Sequence, residues 1–376
     1  MTTATFGGNQ GTLYVKKESE FGTPVAPVAG DGVRYTQFNP VLAPNLIDNP
    51  EAGAGRTRQK PAQGRLSSTW NLSTALRPAS AAGQAPEIGD LLELAMGANP
   101  TSNQGGVTYA LTTAQEKSMT LWYDEPLAQE AWTGCVIQNM TFRWDGTGLT
   151  AVDFSGVGRD VRRFVPFVAA DPSGTDLPPP MGIDARDLAG VGNILNGGSV
   201  VTDVSATSIS LSTAISGSGN VDIISGLPPA VYGSQGEIHY GTQGSVILND
   251  GTEMTVRVLN GQMQLNTGVS LLDNEFGEAT PRAVISPAQR QLNLSLTMNV
   301  QRNEFIRSGR IDRYQDFGAI IVIGPPSDGR RFQLAMPRVT FQSSSPQRAN
   351  NAISTITIQG QATAATENAE LVLTTM

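Results

Sequence analysis

Alternation of apolar and polar residues, rather than helical periodicity, dominates this chain. Leu66-Ser67-Ser68-Thr69-Trp70-Asn71-Leu72-Ser73-Thr74 spaces apolar side chains among strand-forming Thr and Trp. Residues 118–123 form a second run and residues 136–144 a third, which the turn signal Asp145-Gly146 closes. Residues 149–157 then return, with Ala151, Asp153 and Ser155 alternating with Val152, Phe154 and Gly156. That pattern predicts a hairpin with one buried and one wet face. The second half follows the same plan. Residues 292–298 alternate cleanly, residues 319–323 are a continuous apolar run, and residues 332–341 and 353–358 form a last pair joined by the polar stretch 343–348. Each half also carries one helical stripe. In residues 85–96 it is Ile88, Leu91, Leu92 and Ala95, with Pro86 near the start and Gly97 beyond the end. In residues 302–314 it is Phe305, Ile306, Ile311 and Tyr314, weakened by Gly309.

Short identities recur in order between the halves. Gly11-Thr12-Leu13-Tyr14-Val15 answers to Gly244-Ser245-Val246-Ile247-Leu248, Asn45-Leu46-Ile47-Asp48-Asn49 to Ser270-Leu271-Leu272-Asp273-Asn274, and Pro61-Ala62-Gln63 to Pro287-Ala288-Gln289. The expected fold is therefore mainly β: two tandem β-sandwich domains, residues 1–170 and 233–376, each with one flanking helix. Between them, residues 171–232 hold a proline-rich linker and a small β insert around 199–201, 208–211 and 221–224.

Composition narrows the chemistry. The chain has 376 residues, of which 15% are charged, below the usual quarter, and 41 are glycine. The formal net charge of −8 argues against a sequence-reading DNA-binding protein, which needs a basic face. One cysteine, Cys135, excludes an intrachain disulfide and reads as a small buried residue. One histidine, His239, leaves no zinc set, and Gly7-Gly8-Asn9-Gln10-Gly11 lacks the strand–turn–helix setting of a dinucleotide fingerprint. No enzyme activity, cofactor or metal is expected. The first residues lack a basic and an apolar region of a secretory signal, and no apolar run reaches the roughly 20 residues of a membrane helix.

Two polar loops stand out. Residues 48–61 begin with Asp48 and Glu51 and end with Arg56, Arg58 and Lys60; residues 273–283 begin with Asp273, Glu275 and Glu278 and end with Arg282. Such acidic-to-basic segments suit a contact arm whose ion pairs fix register between copies more than they add affinity.

Several segments resemble the major tail tube proteins of long-tailed bacteriophages. They are Gly11–Val15 leading into Glu20-Phe21-Gly22-Thr23-Pro24, the short helix around Glu87–Gly97, the hairpin 134–158, and Met336-Pro337-Arg338-Val339 followed by Ile356-Thr357-Ile358-Gln359-Gly360. The resemblance implies rings stacked into a hollow tube around a tape-measure protein, through which double-stranded DNA later passes without sequence-specific binding. With two tube domains per chain it implies homotrimeric rings of pseudo-sixfold symmetry, contacts with tail terminator and tail-tip proteins, assembly in the host cytoplasm, and residence in the virion. Asp145 and Asp153 are the candidate lumen residues, and the two polar loops are the candidate inter-ring contacts. Competing readings are another virion protein (a terminator, hub or decoration protein) or a carbohydrate-binding β-sandwich using Trp70, Trp122, Trp132 and Trp144.

Overall fold

A computed structural model describes residues 11–47, 62–103, 105–113, 117–125, 128–164, 167–169, 174–177, 201–205, 207–215, 221–223, 227, 229–233, 235–249, 253–276, 278, 280–299, 316–325, 330–347, 354–364 and 366–376. It is mainly β. The first half contains β1 (Thr12–Lys17), β2 (Gly32–Val33), β3 (Gln37–Ile47), β4 (Ala62–Ala75), helix α1 (Gly89–Met96), β5 (Thr101–Asn103), β6 (Gly106–Ala110), β7 (Met119–Glu125), β8 (Ala128–Asp145), β9 (Ala151–Gly158) and β10 (Asp160–Phe164). The centre holds β11 (Phe167–Ala169), β12 (Gly174–Leu177), β13 (Val201–Val204), β14 (Ile209–Ile215) and β15 (Val221–Ile223). Among the described residues these pair only with one another, β11 with β15, and β12 and β13 on either side of β14.

The second half contains β16 (Gly244–Asn249), β17 (Glu253–Val256), β18 (Val258–Asn266), β19 (Ser270–Leu272), β20 (Ala283–Ile285), β21 (Gln291–Asn299), β22 (Asp316–Ile323), β23 (Phe332–Gln347), β24 (Thr355–Ala362) and β25 (Val372–Thr375). All its pairings within the half are antiparallel, as are those of the first.

The two halves thread their strands along the same path. In the first, neighbours run β2-β1-β7-β8-β9-β4-β3; in the second, β17-β16-β22-β23-β24-β21-β18. The irregularities match too. A register shift falls between Met119 and Leu121 on β7 and between Phe317 and Ala319 on β22. Another falls between Ile137 and Asn139 on β8 and between Phe341 and Ser343 on β23. A bulge re-aims a strand, and here it lets β8 and β23 each serve two sheets around one core. The start of β8 pairs with β7 and β10, its end with β9 and β18; β23 likewise pairs first with β22 and β25, then with β24.

Two seams join the halves. β18 lies antiparallel to the end of β8, and β25 lies antiparallel to β6. The core runs through both halves, with Trp70, Leu72, Phe142 and Phe154 from the first and Leu294, Leu296, Ile321 and Phe341 from the second. Burying one such side chain contributes about 1.5–3 kcal/mol, so the core dominates cohesion.

Helix α1 is shorter than the stripe over 85–96 predicts, because Gly89 N–H is taken by Pro86 O at 2.7 Å in a preceding turn. It ends at Gly97, whose φ of 90° is left-handed and whose N–H caps Glu93 O. Glu93 on this helix is buried, bonded by Lys17 Nζ and Lys117 Nζ, each at 2.7 Å. The helical stripe over 302–314 lies outside the described residues. Residues 343–347, expected as a loop, are strand: β23 continues to Gln347, its backbone paired with β24. Serine disfavours a strand core but not a wet strand edge, and Ser345, Pro346 and Gln347 are exposed, so the polarity that suggests a loop there marks exposure instead.

Candidate functional site: a sparsely charged polar sheet face

Eight strands from both halves form one continuous surface, in the order β3-β4-β9-β8-β18-β21-β24-β23. Side chains alternate across a strand. One face of this surface is core: Leu72 lies opposite Phe154, Phe154 opposite Met140, Met140 opposite Leu265 and Leu265 opposite Leu292, all fully or nearly fully buried.

The other face is polar, and its composition is unusual. One cross-strand row reads Gln37, Ser73, Asp153, Thr141, Gln264, Asn293, Gln361, Thr340. The next reads Asn39, Asn71, Ser155, Asn139, Asn266, Gln291. On the other side lie Ala75, Ala151, Arg143, Gln262, Ser295 and Gln359, and beyond them Asp145, Asn260, Thr297, Thr357 and Ser345. In these four rows the ionisable side chains are Arg143, Asp145 and Asp153.

Two of those three neutralise each other. Arg143 Nε lies 2.5 Å from Asp153 Oδ2, its Nη2 donates to Asp153 Oδ1 at 2.8 Å, and Ser73 Oγ donates to the same oxygen at 2.7 Å. Next to Thr340, Asp316 accepts from Arg338 Nε at 2.7 Å and Thr340 Oγ1 at 2.6 Å; the Thr340 hydroxyl, then the guanidinium, holds its carboxyl below the usual range. Asp145 faces solvent. The backbone N–H and hydroxyl of Thr147 hold its carboxyl below the usual range, so it stays charged. Some of the remaining polar groups bond laterally, Thr297 with Thr357 at 3.1 Å and Asn139 with Ser155 at 3.4 Å, and beside the rows Gln342 donates to Gln361 at 3.3 Å.

Both lumen candidates, Asp145 and Asp153, thus share this face, but Asp153 is paired by Arg143, a residue the sequence reading did not single out. The amide rows on β18 were legible as the strict alternation Gly261-Gln262-Met263-Gln264-Leu265-Asn266. Of the contact-loop residues, Asp48, Glu51, Arg56, Arg58 and Lys60 lie outside the described residues. Asp273, Glu275, Glu278 and Arg282 lie between β19 and β20, where Arg282 Nη1 is 3.6 Å from Glu275 Oε2 and Arg65 donates to the Glu275 carbonyl. Phe276 between them is fully exposed. Loop 273–282 and the ends of β3 and β4 that flank residues 48–61 sit at the same end of the sheet, where β18 finishes and β21 begins.

Among the described residues no catalytic constellation accompanies this surface. Cys135 is buried, and burial pushes its thiol well up. His239 is packed edge-on to Phe332 at 6.1 Å. Trp70, Trp122 and Trp132 are fully buried and Trp144 is half-buried, so they form no aromatic platform. Among the described residues no group of His, Cys, Asp and Glu is placed to hold a metal, and no helix is long and apolar enough to cross a membrane.

No curated protein matches the chain. The family model described as phage tail tube protein matches residues 8–239, which span the first half and the central insert. With more than half its length covered by that match, and a mainly β fold with one described helix to go with it, the chain belongs to the phage tail tube protein family, structural components of the virion tail.

Proposed function

We propose that this chain is the repeating subunit of the tail tube of a long-tailed, siphovirus-type phage. Copies join laterally into rings, the rings stack, and double-stranded DNA leaves through the bore. The observation that carries this reading is the eight-strand surface with an apolar face and a polar face of few charges, its one cation paired. A wall that DNA must slide past should offer no cluster of cations, because each neutralised phosphate releases counterions and holds the polymer. Neutral amides and hydroxyls release no counterions on meeting a phosphate, and the sparse charges leave a slight negative balance.

The matched threading of the halves supports a tandem duplication, with domains at 1–170 and 233–376 separated by the insert. Three such chains supply six tube units, hence a trimeric ring of pseudo-sixfold symmetry. Segments 48–61 and 273–283 are the proposed inter-ring contacts, with Phe276 as an apolar tip; the strand ends Ile47 and Ala62 that flank the first lie at the sheet end from which the second departs. Their ion pairs are worth under about 1 kcal/mol each, so repetition around the ring is what would make them matter. A tape-measure protein inside, and terminator and tail-tip proteins at the ends, complete the assembly, which forms in the host cytoplasm.

Electron microscopy of the concentrated full-length protein, with averaging of end-on views, tests this. Rings or tubes with sixfold density from three chains are the expected result. A chain that stays monomeric even on an isolated tail-tip complex would overturn the reading.

A further inference from the structure

The seam between β8 and β18 is an edge-to-edge joint already built inside one chain. Its register runs from Asp145 opposite Asn260 to Asn139 opposite Asn266. On β8 this seam follows β7 along the same edge, since β9 and β10 occupy the other. The second half has the same arrangement without an occupant. β22 covers one edge of β23 as far as Thr340, β24 and β25 cover the opposite edge, and among the described residues nothing pairs with Ser343–Gln347 on the side of β22. The strand that corresponds to β18 in the first half is β3, and among the described residues it pairs with β4 alone. One chain therefore carries both members of a second seam, at opposite ends of its eight-strand surface.

We propose that residues 343–347 of one copy pair antiparallel with residues 39–43 of a second copy, in the register of the internal seam. The matched registers fix the partners. Asn139, Thr141 and Arg143 occupy on β8 the places of Ser343, Ser345 and Gln347 on β23, as their pairs with Ser155, Asp153 and Ala151 match those with Gln359, Thr357 and Thr355. Likewise Gln262, Met263 and Gln264 occupy the places of Asn39, Pro40 and Val41, as shown by their partners on β21 and β4. The seam pairs Arg143–Gln262, Phe142–Met263 and Thr141–Gln264 become Gln347–Asn39, Pro346–Pro40 and Ser345–Val41 between copies.

The residues suit an edge kept for a single partner. An unpaired edge is a template for indiscriminate pairing, and proline is a common guard against it. Each of these edges carries one, Pro40 and Pro346, and their pair can exchange no hydrogen bond. The joint is thus a weaker copy of the seam, which keeps free chains from aggregating while a closed ring, repeating the contact, still holds. Val41 is half-exposed in the single chain, at 51%, and gains cover on pairing.

This rests on the ring reading and adds to it the strands and register of the contact. The test is the double variant Asn39→Cys/Gln347→Cys in the full chain, oxidised after assembly; Cys135 is buried and does not compete. Directly opposed Cβ atoms lie about 4.5–5.5 Å apart and diagonal ones about 7–8 Å. Covalent closed trimers should dominate a denaturing gel for 39/347 and fall several-fold for the diagonal pair Asn39→Cys/Ser345→Cys. Hydrogen exchange of wild-type assemblies gives a second readout: the edge amides of 42 and 344, which take the hydrogen-bonded places of Leu265 and Met140 in the internal seam, should slow on assembly. Rings in the microscope without the 39/347 cross-link and without that slowing overturn the joint and leave the tube reading intact. Absence of any assembly, even on tail-tip complexes, overturns both.

Discussion

The two halves thread their strands identically yet fill their cores with different residues, and the exchange is coordinated. In the first half Trp70 lies opposite Gly156, with Ile137 at the bulge of β8 and Met119 on β7. In the second, Leu294 lies opposite Gly360, with Phe341 at the bulge of β23 and Phe317 on β22, their rings packed edge to face at 5.5 Å. The large side chain has moved from the strand opposite the glycine to the bulge strand. What the halves share is the glycine and the volume, not the identity of the filler, as close packing demands. The fold is specified here by spacing and bulges.

The strongest way to break that comparison is to empty the site. Trp70→Ala should cost about 3–5 kcal/mol in chemical denaturation. Trp70→Leu, which imports the second half's residue alone, should cost less, and Ile137→Phe in that background should recover part of the loss. A purely additive double variant would show that the exchange is not coupled.

The glycines sharpen the same point. A Cβ at Gly156 would sit on the Val136 carbonyl oxygen, a backbone atom of β8 just before its bulge. At Gly360 it would meet Phe341 Cδ1 at 2.7 Å and Val339 Cγ1 at 2.9 Å, with the nearest backbone atom, Phe341 Cα, farther off at 3.1 Å. Gly156→Ala is expected at or above the upper end of the overpacking range, about 3 kcal/mol, and Gly360→Ala nearer about 1–2 kcal/mol. Equal losses in thermal unfolding would remove the distinction drawn between backbone and side-chain neighbours.

A third difference concerns charge beside α1. Burial alone would raise Glu93, but hydrogen bonds from Lys117 and Lys17 outweigh it and hold the carboxyl below its ordinary value. Burial would likewise lower Lys17, and Glu93 and Asp90 raise it instead. A depressed carboxylate contributes stability above its unfolded value near 4, lost as pH falls through the folded one. The wild type should therefore lose stability between roughly pH 5 and pH 3, and Glu93→Gln should flatten that loss while lowering stability near neutrality by about 1–2 kcal/mol. An unchanged acid profile in the variant would place the acid sensitivity elsewhere.

How much of this was legible follows from which signals are local. Alternation in 66–74, 136–144 and 292–298 marked β4, β8 and β21 because each buries one face. The identities Gly11–Val15 and Gly244–Leu248 fall at matching register positions on β1 and β16. The serine run 343–347 misled because its strand lies at an edge, where polarity no longer separates strand from loop. The pairing of Arg143 with Asp153 was out of reach for another reason. It joins two residues across a bulged ladder, and a single-residue shift in that register would place them on unrelated neighbours.

That ion pair is also where the halves differ on the polar face, since Gln347 and Thr357 occupy the corresponding positions of β23 and β24. The first half carries a neutralised pair where the second carries none. Replacing both members, Arg143→Gln with Asp153→Thr, should change stability by under about 1 kcal/mol, because the pair is largely solvent-screened. On the proposed reading it should also leave the surface without hold on DNA. Asp153→Asn alone should do something else: it frees one cation per copy on a face that otherwise has none unpaired in its four rows. Assembled Asp153→Asn protein should retain double-stranded DNA at low salt, in co-sedimentation or gel retardation, and release it as salt rises, with a slope of about one counterion per phosphate contacted. If the single variant stays as indifferent to DNA as the wild type, pairing of charge is not what keeps this face from holding the polymer. The amide and hydroxyl rows would then have to account for it alone.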